Sequence, residues 1–232
     1  MDANDIVSKK LTITRLYWQN CWHIVPSRFP DFQPFEPVIK ADDLHAISEL
    51  SALTDDFQRA SAGVIHLMSG PDRLGNECCR IVSQAFTHPN PDGSRFNDGR
   101  IGVFYAAKAL ATAIAETRFH VERFLRATKQ RPMELDMRAY QVDLQAELYD
   151  LRGQQQRLAE FYDPNDQRPT QQLSSALQQQ QANGIAFDSL QANGGECAAI
   201  FRPHVLSNCR SDRHLCFIWD GEHIQTVYEK QL

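Results

Sequence analysis

Residues 94–120 read SRFNDGRIGVFYAAKALATAIAETRFH, and the reading of this stretch decides the fold class. Its first third is loop. Together with the preceding residues it forms a polar run over 87–100, rich in Pro, Gly, Asn and Asp, a composition that favours turns over core elements and suits a ligand-binding loop. Residues 101–107, IGVFYAA, are aromatic and β-branched and predict a short strand. Strand geometry then puts Val103 and Tyr105 on one face and Phe104 and Ala106 on the other. Apolar residues at helical spacing predict a helix from about Leu110 to Arg126. Its buried stripe is Leu110, Ala113, Ile114, Thr117, Val121 and Leu125, and Thr112, Glu116, His120 and Arg123 mark another face. Glu116 and His120 are four residues apart and can neighbour each other.

Outward from this block, helices and strands mix along the chain. Residues 11–26 form an apolar, aromatic run ended by Pro26 and Pro30. Leu44, Ile47, Leu50 and Leu53 recur at one helical face, residues 63–68 (GVIHLM) predict a strand, and a helix is expected from Asn76 to Phe86. Downstream, residues 133–151 alternate and predict one or two strands. LSSALQQQQ predicts a surface helix, and GIAFDSL and GGECAAIF a hairpin or adjacent strands around Gly194 and Gly195. LCFIWD closes the apolar runs. No internal repeat or composition break marks a second domain, so one domain is expected over 1–232.

The chain has 232 residues, 42% of them hydrophobic, enough for one sizeable core. Its formal charge is -5, which argues against direct nucleic-acid binding because phosphate contacts need a basic surface. No apolar run has the length of a membrane span or the character of a signal peptide. The six cysteines therefore read as reduced thiols in a cytoplasmic protein.

Four residues are the catalytic candidates. Arg95 presents a fork of donors suited to phosphate oxygens, or is an ordinary surface arginine. Tyr105 is a half-buried core tyrosine or an aromatic wall against a planar base. Glu116 could hold ribose hydroxyls or stabilise an oxocarbenium-like centre as a glycosidic bond breaks, or could pair with His120 in solvent. Ser189 sits at a strand end where its hydroxyl could orient a ligand. It lacks the G-x-S-x-G surroundings of a hydrolase nucleophile. The sequence contains no P-loop, no G-x-G-x-x-G and no C-x-x-C. His204, Cys209, His214 and Cys216 crowd together without a metal-binding pattern.

These segments resemble the RES-domain family, named for conserved arginine, glutamate and serine. The likeness lies in Arg95-Phe96-Asn97-Asp98-Gly99, Phe104-Tyr105-Ala106-Ala107, Thr112-Ala113-Ile114-Ala115-Glu116 with His120, and the stretch ending at Ser189. An N-terminal signature appears as Trp22-His23-Ile24-Val25-Pro26-Ser27-Arg28-Phe29-Pro30, with His23 where the family usually has arginine. The likeness covers about residues 20–205, the core of the single domain, after an N-terminal extension.

The resemblance implies a compact α+β fold similar to ADP-ribosyltransferases. It implies a toxin that consumes NAD as substrate, not cofactor, by cleaving the nicotinamide–ribose bond, with a DNA-binding antitoxin as partner. Residue by residue, it implies that Arg95 clamps the pyrophosphate, Tyr105 lines the nicotinamide-ribose pocket, Glu116 holds the ribose and the developing cation, and Ser189 orients the substrate. Asn97 and His120 join as binding residues. His23 would be a weaker, pH-dependent phosphate ligand with Arg28 as its substitute.

Overall fold

The computed structural model describes residues 11–27, 79–87 and 93–231. The helix expected around Leu44–Leu53, the strand expected over 63–68 and Arg28 lie outside the described residues. Strands β1 (Thr12–Pro26), β2 (Phe104–Ala107), β3 (Met133–Asp150), β4 (Gly184–Asp188), β5 (Glu196–Ile200), β6 (Leu206–Trp219) and β7 (Ile224–Lys230) join in one sheet. Helices α1 (Cys79–Thr87), α2 (Leu110–Ala127) and α3 (Arg168–Gln179) pack around it. The architecture is α+β with a mixed sheet: β3 and β4 run parallel and the other pairs antiparallel.

Sheet order is β1-β2-β5-β4-β3-β6-β7, and β1 also pairs along β3. The first five strands in that order therefore close on themselves, and β6 and β7 extend from β3. Closure removes exposed edges. Its weaker seams are single or double pairs: Trp22 with Ala107, and Tyr149 and Asp150 with Ile185 and Ala186.

The alternation expected in 101–107 explains the two apolar layers. Phe104 and Ala106 enter the inner layer with Leu16, Trp18, Cys21, Leu144 and Leu148. Val103, Tyr105 and Ala107 join the outer layer, where Leu125, Phe187, Leu173 and Leu177 pack. In β1 a bulge between Trp18 and Cys21 shifts the register by the residue needed to keep Cys21 inside with Leu16 and Trp18. It also turns Trp22 and Ile24 to the outer layer. Asn20, at φ 57°, takes the left-handed conformation there, and its amide donates to the Asp143 carboxylate at 2.9 Å.

The helix expected over 110–126 is α2, with Ala113 and Leu125 buried and Leu110, Ile114 and Val121 packed on the outer layer. The expectation differs at Glu122, which is buried on the side of α2 facing β7. It accepts hydrogen bonds from Arg118, Arg126 and the Ile224 amide, and so ties α2 to β7. The expected surface helix is α3, but one face is fully interior: Leu173 and Leu177 are wholly buried, and Ser174 donates to the Phe96 carbonyl at 2.6 Å. The 133–151 segment is one strand, long enough to serve β1 on one side and β6 then β4 on the other. The expected hairpin is β4–β5.

Candidate functional site

One side of α2, the ends of β1 and β2, Phe187 of β4, and residues of the segments 93–95, 163–167 and 190–191 line a cleft of about 680 Å³. That volume suits a small organic ligand. Ala107 and Ala113 line it, and their small side chains leave the room.

Glu116 projects into this cleft from α2. Its Oε1 accepts a 2.5 Å hydrogen bond from the Ser189 hydroxyl. Ser189 is buried behind the lining, and its Oγ accepts in turn from the amides of Gln191 and Ala192 at 3.0 and 2.9 Å. Two fixed amides therefore aim the hydroxyl proton at the carboxylate. Close packing brings the two residues together. A Cβ on Gly195 would lie 2.7 and 2.8 Å from the Thr112 side chain, so only glycine lets the 189–195 turn sit against the first turn of α2. The Gly195 carbonyl also accepts from the Ser189 amide.

Arg95 lines the same cleft. Its Nη2 donates to the Phe161 carbonyl at 2.9 Å, and Nη1 points to the Asp188 carbonyl at 3.5 Å. The guanidinium carbon lies 4.8, 5.0 and 5.3 Å from the ring centres of Phe187, Tyr162 and Phe96, within cation–π range. Burial lowers its proton affinity, which neighbouring groups, Glu116 among them, partly restore. Tyr105 forms part of the wall. Its hydroxyl accepts from the Phe96 amide at 3.0 Å and shares a 2.7 Å hydrogen bond with Ser94. Burial pushes its pKa up to about 12, so the phenol stays neutral.

The remaining candidates divide. His23 contributes to the lining, but its ring stacks on Phe104 of the inner layer, with centroids 4.3 Å apart. Its Nδ1 bonds the Tyr105 carbonyl at 2.8 Å; a carbonyl only accepts, so Nδ1 carries the proton. Burial pushes the His23 pKa down to about 4. The expected pH-dependent cation is thus a neutral ring near pH 7, because the stack and the strand exclude the water a charge needs.

His120 stands at the exposed rim of the cleft, one turn from Glu116. Its ring is shielded enough that burial lowers its proton affinity, Glu116 opposes this, and Arg123 adds to it. Asn97 is buried away from the lining. Its side-chain oxygen accepts from the Gly99 amide at 2.7 Å and shapes its own loop. Gln171 of α3 holds that loop by donating to the Ser94 and Asn97 carbonyls. Cys197 also faces the cleft, and burial raises its pKa, which keeps it a thiol. No cluster of three or more metal-ligating side chains occurs among the described residues, so His204, Cys209, His214 and Cys216 form none.

Arg123 and Phe124 line the cleft too. Arg123 stood on the Glu116 face in the sequence, but nothing there marked it as a ligand. Phe124 fell outside both faces.

The uncharacterized protein y4oC of Sinorhizobium fredii is 25% identical over 209 residues, spanning 89% of this chain and 86% of that one. The MbcT–MbcA toxin–antitoxin complex of M. tuberculosis contains a chain similar at TM-score 0.48 and 10% identity, over 94% of this chain and 92% of that one. The RES domain model matches residues 73–220, a span that holds Arg95, Tyr105, Glu116 and Ser189. On that match the chain belongs to the RES domain family.

Proposed function

We propose that the cleft binds NAD and breaks its nicotinamide–ribose bond. The observation that carries this reading is the Glu116 carboxylate, fixed at the wall of an apolar cleft by a Ser189 hydroxyl that two backbone amides aim. When the glycosidic C–N bond breaks, its electron pair goes to the pyridinium nitrogen and nicotinamide leaves neutral. The ribose carbon is left cationic, and a preorganised carboxylate stabilises that charge. Water or a phosphate oxygen then captures the carbon, and a captured water loses its proton to solvent. Tyr105 supplies a neutral wall, and Arg95 adds positive charge beside an anionic ligand. The protein supplies orientation and field, and the leaving group supplies the rest.

Family membership supports the reading of the protein as a toxin held inactive by an antitoxin with a DNA-binding domain, acting on NAD in the cytoplasm without touching nucleic acid itself. Transfer of ADP-ribose to a protein differs only in the acceptor. A nucleotide-binding protein without turnover is favoured by two observations: His23 is neutral where the family usually has arginine, and Arg95 already spends donors on carbonyls.

The test is to incubate the pure protein with NAD, with and without phosphate, and to identify products by mass. Nicotinamide should appear with free or phosphorylated ADP-ribose, and Glu116→Gln should slow its release by about 10²–10³-fold. Labelled protein in place of free product selects the transferase. NAD binding without nicotinamide release overturns the cleavage reading.

A further inference from the structure

The proposed bond cleavage uses Glu116, in the first half of α2. The second half of α2 lines the cleft as well, through His120, Arg123, Phe124 and Ala127. Phe124 is 60% exposed there. An aromatic ring left in water forgoes the stabilisation that burial gives, and this one sits on the rim of a cavity, not alone on an open surface.

Arg123 is exceptional among the arginines of its helix. Arg118 and Arg126 both pair with Glu122. Arg123 makes no hydrogen bond or ion pair with any described residue. The other arginine on the lining, Arg95, directs donors at two main-chain carbonyls and is ringed by three aromatic side chains. The guanidinium with an uncommitted fork is therefore that of Arg123, and such a fork suits phosphate oxygens.

Helical rise places Arg123 about 10 Å and Phe124 about 12 Å beyond Glu116 along the axis. Side chains on a helix lean toward its N-terminus, which is the direction of His120 and Glu116 from Arg123. The downward influence of Arg123 on His120 protonation fits that direction. Along the stretch of α2 that lines the cleft, the axial order is carboxylate, cation, aromatic ring. Along an adenine dinucleotide the order is reacting sugar, diphosphate, adenine.

We propose that Arg123 and Phe124 form the subsite for the diphosphate and the distal base, Arg123 holding phosphate oxygens and Phe124 stacking on adenine. The assignment rests on the NAD reading above and deepens it. It also makes Arg95 a bracket that ties the 94–97 loop to residues 161 and 188, in place of the diphosphate clamp that the family resemblance implies.

The test is titration calorimetry of ADP-ribose and of ribose 5-phosphate against the full chain and its Arg123→Gln and Phe124→Ser variants. Both side chains are exposed, and thermal melts check that the variants fold. Either substitution should weaken ADP-ribose about tenfold, and only Arg123→Gln should weaken ribose 5-phosphate. Absence of ADP-ribose binding to the unaltered protein, or variant affinities unchanged, overturns the subsite. If the variants weaken ADP-ribose while the unaltered protein releases no nicotinamide from NAD, the subsite stands and cleavage falls. If NAD is cleaved and both variants bind ADP-ribose normally, cleavage stands and the subsite falls.

Discussion

Removing one oxygen atom, in Ser189→Ala, separates the carboxylate from its support with little change in volume. Ser189 is 8% exposed, and its hydroxyl makes one donated and two accepted hydrogen bonds. Losing a hydrogen bond to a charged group costs about 1.5–3 kcal/mol, and two amides are left to find new partners. The cleft gives water partial access, so the expected loss of folding stability is about 1–3 kcal/mol, read by urea unfolding. The same loss of orientation acts on the reaction. If about 1.5–3 kcal/mol of carboxylate positioning is expressed at the transition state, nicotinamide release slows about 10- to 150-fold. Ser189→Thr, which retains a hydroxyl, should recover part of the rate. A Ser189→Ala protein with unaltered stability and an unaltered rate would refute the reasoning on both counts, since the hydroxyl would then support nothing.

Three further outcomes are expected. Gly195→Ala should slow nicotinamide release and lower the melting temperature, because its methyl group meets the buried Thr112 side chain. Glu122→Ala should cost about 2–3 kcal/mol in chemical unfolding, since it strips acceptors from Arg118, Arg126 and the Ile224 amide. Burial alone would raise the Glu122 pKa, but these donors bring it below its ordinary 4.5. Its contribution is therefore complete at pH 7 and declines as acidification passes below 4.5 toward the lowered folded value. His23, at about 4 in the folded chain against 6.5 ordinarily, works in a higher window. Between those values the unfolded chain takes a proton that the folded chain refuses, so stability falls with pH by at most about 1.4 kcal/mol per unit. Proton NMR should find this ring neutral at pH 6, and a protonated ring there would contradict the stack on Phe104.

Local pattern carried the elements. Alternation in 101–107 and the helical spacing in 110–126 are short-range properties, and β2 and α2 follow them. The proximity of Arg95, Tyr105 and Glu116 was legible because one loop–strand–helix unit carries all three. The support of Glu116 by Ser189 was not, because the partners are 73 residues apart and meet only where Gly195 lets a turn close on α2. Glu122 was missed because a charged residue on a helix is ordinarily solvated, and its buried donor comes from β7, which the sequence did not mark as a neighbour. Closure of the strands was hidden for the same reason: no local periodicity records that β1 pairs with both β2 and β3. His23 read as a titrating substitute until the bulge in β1 placed its ring against Phe104.

The bond from Ser189 leaves Glu116 most of its grip. It takes one lone pair of Oε1, and an ionised carboxylate offers about four, so about three remain to meet a furanose diol. On the proposed reading both neighbouring hydroxyls can be held at once, and deoxygenation at either position should be felt.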